Sequence, residues 1–269
     1  MTAIEHSLDG RIITVTLNRP DRRNALNQRL VGELTGIIRS LSQDDFVRVI
    51  VLTGAGSTFS AGADLDALAS LSSASQEDNL ADSRALADLF SAIRASPKVV
   101  VARVNGHAIA GGSGLVAACD IAFAVNEAKF GFTEVRIGFV PALVSVLLRN
   151  RLKEADLRDL LLSGRLISAT YAAQIGLITE AVSASQLEEK VAGYVETIAR
   201  STSREAITRT KRLLDEIANL SFEDAMLHAA KANASARQSK DCQDGVRAFL
   251  DKKSPPWVQS WDHDHPDSA

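Results

Sequence analysis

The chain has 269 residues, of which 46% are hydrophobic, and this is enough apolar material for a substantial globular core. The formal net charge is −3, with 30 Lys and Arg against 33 Asp and Glu, so bulk charge gives no reason to expect nucleic acid or an anionic membrane as the main partner. Residues 1–9 lack a basic region followed by an apolar core, and no stretch approaches the roughly 18 apolar residues of a membrane span. We therefore expect a cytoplasmic protein.

The first half of the chain alternates between strand and helix patterns. Residues 11–18 alternate and are rich in β-branched side chains, which predicts a strand, and the spacing of Leu30, Leu34 and Ile38 predicts a helix. In chain order we expect a strand over 11–18, a helix over 30–41, a strand over 47–53, a flexible connection over 70–79, a helix over 80–93, a strand over 99–104, a short helix over 113–119 and a strand over 120–125. This alternation predicts an α/β core.

The second half, from residue 142 onward, has an almost wholly helical pattern with no linker that would separate it from the first half. From residue 254 the chain is rich in Pro, Asp and His, which predicts a poorly ordered tail. His263 and His265 lie in that tail without a third ligand at a suitable spacing, so no metal site is expected. Cys119 lies in an apolar stretch, where a buried thiol is expected, and a disulfide with Cys242 is not.

Two glycine-bearing turns follow predicted strands. The first is Phe59-Ser60-Ala61-Gly62-Ala63-Asp64, and the second lies within residues 104–114. Each leads into a helix-like stretch, so each can direct unpaired N–H groups at one ligand oxygen. Two such donors form an oxyanion hole, which stabilises a carbonyl oxygen that gains negative charge. For the first turn, a helix that simply begins at Gly62 is the alternative.

At these two turns the chain resembles the enoyl-CoA hydratase/isomerase (crotonase) superfamily, and the resemblance extends from about residue 11 to about residue 252. The family uses two such turns to hold the carbonyl of a coenzyme A thioester as it becomes an enolate. Carried over to this chain, the resemblance implies that the N–H groups of Ala63 and Gly111 are the two donors.

The same resemblance implies a fold and a division of the chain. It implies an α/β fold in which a spiral of ββα units is followed by a C-terminal helical region that mediates trimerisation. We accordingly expect a spiral core over 1–195, a helical region over 196–253 and a disordered tail over 254–269. The expected assembly is a homo-oligomer, either a trimer or a dimer of trimers.

Glu134 is the candidate acid/base. Its segment, Phe-Gly-x-x-Glu over 130–134, resembles the family segment that carries a catalytic glutamate, and its apolar flanks would raise the pKa toward that of a general base. An ion pair of Glu134 with Arg136 or Arg165 is the alternative interpretation.

Gly114 marks a departure from the family. Hydratases of the family usually carry a second glutamate three residues beyond the donor glycine, and here that position is Gly114. The resemblance therefore implies an acyl-CoA-processing enzyme, with an enoyl-CoA hydratase as the first interpretation and an enoyl-CoA isomerase that uses a single glutamate as the alternative. A non-catalytic acyl-CoA-binding scaffold is a third interpretation, which predicts binding without turnover.

The resemblance also assigns residues that contact coenzyme A or the acyl group. They are Arg23 and Ala25 in a basic turn, Ala61, Asp64, Leu65 and Ile109 beside the donor turns, and Phe249 and Lys252 near the C-terminus. In the family the last contact can come from a neighbouring subunit. No cofactor is implied besides the coenzyme A that the substrate carries, and no metal.

A dinucleotide-binding interpretation competes on pattern alone. Gly112-Ser113-Gly114 followed by Ala117 fits the fingerprint Gly-x-Gly-x-x-Ala, and Glu134 lies 20 residues beyond Gly114. However, the next strand is predicted to begin at residue 120, which leaves too few residues for the crossover helix of a βαβ unit.

Overall fold

The computed structural model describes residues 3–64, 66, 67, 69 and 74–264. Its larger sheet has six strands, in the spatial order β1 (Ile4–Asp9), β2 (Ile12–Leu17), β3 (Val49–Gly54), β5 (Val99–Val104), β7 (Ile121–Val125) and β10 (Glu180–Val182). All neighbouring strands are parallel except β1 and β2, which are antiparallel. The strands predicted over 11–18, 47–53, 99–104 and 120–125 are confirmed as β2, β3, β5 and β7.

The smaller sheet has the order β4 (Thr58–Ser60), β6 (His107–Ile109), β8 (Lys129–Gly131) and β9 (Ile167–Ser168). Strands β4, β6 and β8 are parallel to one another, and β9 runs antiparallel to β8. Three times in succession a strand of the larger sheet is followed within a few residues by a strand of the smaller one, as β3–β4, β5–β6 and β7–β8. This repeat carries the chain back and forth between the two sheets.

The helices are α1 (Gln28–Gln43), α2 (Gln76–Ala95), α3 (Gly111–Ala118), α4 (Ala142–Arg149), α5 (Glu154–Ser163), α6 (Ala169–Gln174), α7 (Leu187–Ser201), α8 (Arg204–Ile217), α9 (Phe222–Ala236), α10 (Lys240–Leu250) and α11 (Pro256–Asp264). Helix α1 begins where the Asn27 side chain accepts a hydrogen bond from the N–H of Leu30, and it buries the predicted stripe of Leu30, Leu34 and Ile38. Helix α7 packs across strands β2, β3, β5 and β7.

Helix α3 packs against β4 and β6 of the smaller sheet and against α2 and α4, and it is buried along almost its whole length. Its small residues are required by close packing, because a Cβ on Gly112 would lie 2.4 Å from the Ser60 carbonyl oxygen. At its C-terminal end the buried Cys119 thiol donates to the Leu115 carbonyl, and burial raises the pKa of this thiol to about 12. Cys119 and Cys242 are both free thiols, as the sequence predicts.

The three helices α8, α9 and α10 contain no buried residue. Helix α8 packs against both α9 and α10, and the three helices expose a series of large apolar side chains: Leu214, Phe222, Met226, Leu227, Val246, Phe249 and Leu250. The boundary predicted at 195/196 falls inside α7, so the helical region begins within a helix that packs on the larger sheet.

Two sequence predictions are wrong in this part of the fold. The connection predicted over 70–79 is helical from Gln76, because Ser75 and Asp78 form a capping box, while residues 70–73 lie outside the described part. The tail predicted to be disordered forms α11 over Pro256–Asp264, and residues 265–269 lie outside the described part.

Helix α11 is held by two tryptophans on one face. Trp261 is only 3% exposed and, with Val191 and Val195 of α7, lines a cavity of about 280 Å³ above the larger sheet. The indole N–H of Trp257 donates to the Ser201 carbonyl at 3.2 Å. Burial of these rings offsets the entropy that is lost when the segment becomes ordered. The polar composition of the segment gave no sign of this burial.

In the part of the chain that the structure describes, no helix is both long and apolar enough to cross a bilayer. The cytoplasmic location stays a prediction.

The packing of α11 makes Trp261 a stability determinant. We expect Trp261→Ala to lower the free energy of unfolding by about 3 kcal/mol, because a large buried ring is replaced by a cavity. Gln259→Ala, on the exposed face of the same helix, is the matched control and should change stability by less than about 0.5 kcal/mol. Urea unfolding of both variants measures the difference, and equal stabilities would mean that α11 does not dock.

Candidate active site

Three neighbouring strand ends define the site. Strands β4, β6 and β8 are adjacent and parallel, so their C-terminal ends lie at the same edge of the smaller sheet. The chain reaches Ala63 three residues after β4, Gly111 two residues after β6, and Glu134 three residues after β8. Since adjacent strands are about 5 Å apart, this edge collects the two predicted donors and the predicted acid/base.

The first turn leaves one N–H group unused. The N–H of Ala61 donates to the Arg23 carbonyl, that of Gly62 to the Ser60 hydroxyl, and that of Asp64 to the Leu26 carbonyl. The N–H of Ala63 has no acceptor within the described residues, and Ala63 is exposed. Gly62 has φ +86° and its carbonyl accepts from Leu26, so the alternative of a helix beginning at this glycine is wrong.

The second turn also leaves a donor free. Ala110 has φ 49° and ψ −120°, a conformation that is unusual for an L-residue, and its N–H donates to the Gly131 carbonyl at 2.7 Å. This strained residue turns the chain from β6 into α3. Gly111 is the first residue of α3, and its N–H has no hydrogen-bond acceptor within the described part of the chain.

The two turns touch each other. A Cβ on Gly62 would lie 2.6 Å from the Ile109 carbonyl oxygen, 2.9 Å from the Ala110 Cβ and 3.3 Å from the Gly111 nitrogen. Glycine is therefore the only residue type that permits this approach, and the unused N–H groups of Ala63 and Gly111 lie on neighbouring backbone segments.

Glu134 opens a 3₁₀ helix over Glu134–Ile137 and is half-buried. Its Oε2 atom is buried and has no hydrogen-bond partner within the described residues. Burial raises the pKa of Glu134, and its own backbone N–H opposes this only in part. A buried carboxylate oxygen without a partner is costly, which is typical of a group kept ready for a ligand or a proton.

The ion-pair interpretation of Glu134 is wrong. Arg165 is bound instead to Asp159 at 2.6 Å and lies over the Tyr171 ring. Arg136 is exposed, and no described cation pairs with the Glu134 carboxylate.

Arg19 is a site residue that sequence analysis missed. Its guanidinium donates to the Ala25 carbonyl at 2.5 Å and to the Asp64 carboxylate at 2.9 Å, and so connects the basic turn to the first donor turn. Burial alone would raise the pKa of Asp64, but the hydrogen bond and charge of Arg19 lower it on balance. Because this pairing joins residues 45 positions apart, only the tertiary structure could reveal it.

The predicted coenzyme A residues fall into two groups. Arg23 is exposed in the left-handed region with φ 50°, and it lies with Ala25, Ala61, Asp64 and Ile109 beside the donor turns. Leu65 lies outside the described residues. Phe249 lies in the last turn of α10 and is 83% exposed, and Lys252 follows two residues after the end of this helix. Contact of any of these residues with coenzyme A stays a prediction.

The dinucleotide-like fingerprint has a packing role in the structure. Its glycines lie inside α3, where they permit close approach of neighbouring elements, and β7 begins at Ile121 without a crossover helix of the usual length. Among the described residues no three His, Cys, Asp or Glu side chains cluster as a metal site would require. The side chains of His263 and His265 lie outside the described part.

Comparison with known proteins agrees with this geometry. Residues 8–260 match the family model described as enoyl-CoA hydratase/isomerase. A Thermus thermophilus protein named "Putative enoyl-CoA hydratase" is 40% identical over 246 residues, covering 91% of this chain and 97% of that protein. The crystal structure of an enoyl-CoA hydratase from Mycobacterium smegmatis has a TM-score of 0.90 at 30% identity, covering 96% of this chain and 99% of that one.

A crystal structure of an enoyl-CoA hydratase/isomerase from Marinobacter aquaeolei gives a TM-score of 0.89, also at 30% identity, and covers 96% of this chain and 100% of that one. The α/β fold with successive ββα units, predicted from the sequence, is thereby confirmed as the fold of these relatives. From the matched residues and the shared fold, the chain belongs to the enoyl-CoA hydratase/isomerase family.

Proposed function

We propose that the chain is an enoyl-CoA-processing enzyme that stabilises a thioester enolate between the N–H groups of Ala63 and Gly111, with Glu134 as the acid/base. The observation that carries this proposal is the convergence at a single sheet edge of two N–H groups and one buried carboxylate oxygen, none of which has a hydrogen-bond partner among the described residues. Removal of an α-proton and addition at the β-carbon both move negative charge onto the carbonyl oxygen, where the two donors would stabilise it.

Hydration of a 2-enoyl-CoA is the first candidate reaction, because relatives that match almost the whole chain are named enoyl-CoA hydratases. Double-bond isomerisation is the second candidate. It is favoured by Gly114, which stands where two-carboxylate hydratases have their other glutamate, because moving a proton between carbons needs only the carboxylate of Glu134. Neither reaction requires a cofactor besides the coenzyme A of the substrate.

The oligomer that we propose follows from apolar surface that the chain leaves uncovered. Helices α8–α10 bury none of their residues, and Phe222, Met226 and Leu227 of α9 are each more than half exposed. A second uncovered apolar segment follows Glu134, with Ile137 and Val140 exposed. Two different apolar surfaces on one chain favour a closed ring of identical subunits, here a trimer or a pair of trimers.

The oxyanion hole is tested at Gly62. We expect Gly62→Ala to lower turnover by about 10²-fold or more, because the added Cβ would push the two donor turns apart. Gly176→Ala is the control: it has a similar φ of +82° but meets its nearest atom only at 3.7 Å, so it carries the backbone strain without the close contact. Equal loss of activity in the two variants would contradict the proposed donor pair.

The acid/base is tested at Glu134. We expect Glu134→Gln to lower turnover by about 10²-fold or more while the fold stays intact. Because burial raises the pKa, ionised Glu134 costs folding free energy above that pKa, so Glu134→Gln should keep or raise the Tm at neutral pH. For the parent, kcat/KM should fall on the acid side with a midpoint above the ordinary glutamate value of about 4.3. Unchanged turnover in the variant would remove Glu134 from the mechanism.

The assembly is tested by multi-angle light scattering at micromolar concentration. We expect the mass of a trimer or hexamer for the parent, and a shift toward monomer for Met226→Asp, because the aspartate would place a charge in an apolar interface. Glu223→Ala, on the same helix, serves as the control. A parent that is monomeric would contradict the assembly and leave the catalytic proposal standing.

A further inference from the structure

Gly114 has no room for a side chain. A Cβ at this position would lie 2.7 Å from Cζ of Phe90 and 2.8 Å from Cγ1 of Val144, and the next nearest atom is again a ring carbon of Phe90, at 3.4 Å. The glycine has no positive φ, so contact with these side chains, not backbone conformation, excludes a larger residue. The volume into which a side chain at position 114 would extend is already filled by carbon atoms.

Two separate helices supply these atoms. Phe90 belongs to α2 and Val144 to α4, and each is 3% exposed. Both helices pack against α3, whose first residue is the donor Gly111. Because Gly111 and Gly114 are three residues apart in one helix, they share a face, and the two apolar side chains adjoin the proposed oxyanion hole one helical turn further on.

The hydroxyl of Ser113, the residue before Gly114, already makes two hydrogen bonds. Ser113 is fully buried, donates to the Ala108 carbonyl at 2.6 Å and accepts from the Gly131 N–H at 3.2 Å. Its role is to join α3 to β6 and β8, so it cannot replace the carboxylate that Gly114 lacks without losing these bonds.

We infer that Phe90 and Val144 form an apolar wall that keeps water from the β-carbon of a bound 2-enoyl-CoA, and so disfavour hydration relative to the proton transfers that need only Glu134. This inference rests on the proposed function and makes both residues specificity-determining for it. Water held against carbon atoms alone lacks the hydrogen-bond partners that would position it for attack.

The chemistry that this wall permits needs only Glu134. With a 3-enoyl-CoA, the Glu134 carboxylate accepts a proton from the α-carbon, and the electron pair of the broken C–H bond moves onto the thioester carbonyl oxygen. The resulting carboxylic acid then returns the proton to the γ-carbon, which gives a 2-enoyl-CoA of the same mass. The carboxylate is regenerated, and neither an oxidant nor a reductant is consumed.

The test compares the rates of proton transfer and of water addition in the same protein. The full-length protein is incubated in D₂O with 3-hexenoyl-CoA and, separately, with 2-hexenoyl-CoA, and the products are analysed by mass spectrometry. Hydration adds D₂O. Isomerisation is counted from the chromatographically separated 2- and 3-enoyl products, because Glu134 can return the proton that it removed, and proton exchange is counted from deuterium in either isomer. For the parent we expect isomerisation and exchange together to exceed hydration by at least about tenfold.

Smaller residues in place of Phe90 or Val144 would leave space beside Gly114. We expect Phe90→Ala to shift this ratio toward hydration by about tenfold, and Phe90→Ala with Gly114→Glu to shift it further, because the vacated volume then holds a second carboxylate. Leu89→Ala is the matched control, since Leu89 is equally buried in α2 but is not among the atoms nearest Gly114. If Phe90→Ala does not fold, Phe90→Leu and Val144→Ala are measured by the same ratio.

The outcomes distinguish failure of the apolar wall from failure of the proposed function. A parent that hydrates 2-hexenoyl-CoA faster than it isomerises and exchanges deuterium, or wall variants whose ratio equals that of Leu89→Ala, would overturn the role of the wall and leave the enolate mechanism intact. A parent that binds both thioesters without isomerisation, deuterium uptake or hydration would overturn the proposed function itself, and the inference with it.

Discussion

The contact between two backbone turns is the constraint on which the proposed site depends. The turn after β4 and the turn after β6 approach so closely that only a hydrogen fits on Gly62, and Ala110 adopts a positive φ to place the start of α3 beside it. Each conformation is unfavourable alone. The surrounding pairing of β4, β6 and β8 overdetermines both, so the free N–H groups are held in place before any ligand arrives.

Around this contact the chain uses its polar groups in two opposite ways. The side chains of Arg19, Asn24 and Ser60 are hydrogen-bonded to the surrounding chain. The Asn24 amide donates to two carbonyls and the Ser60 hydroxyl donates to the Asn24 carbonyl, which holds the first turn in place. Glu134, by contrast, keeps one buried oxygen without a partner among the described residues. The hydrogen-bonded groups hold the turn rigidly, whereas the unpartnered oxygen of Glu134 remains available to a ligand or a proton.

The sequence predicted the parts of the fold and site that local patterns determine. Strands β2, β3, β5 and β7 are long enough for their apolar runs to be seen, and the glycine turns lie next to them. Strands β4, β6 and β8 have three residues each, too few for a periodicity. The Arg19–Asp64 pair and the contact of Phe90 with Gly114 join distant parts of the chain, and α11 depends on burial of Trp261, so none of these could be predicted from local sequence.

The two thiols differ in a way that makes the chain selectively labelable. Cys119 is buried at the end of α3 and its pKa of about 12 leaves almost no thiolate at neutral pH, whereas Cys242 is half-buried on α10. Alkylating reagents therefore modify Cys242 first. A fluorophore attached there would report on the surroundings of α10, the helix that carries Phe249, without any substitution in the natural sequence.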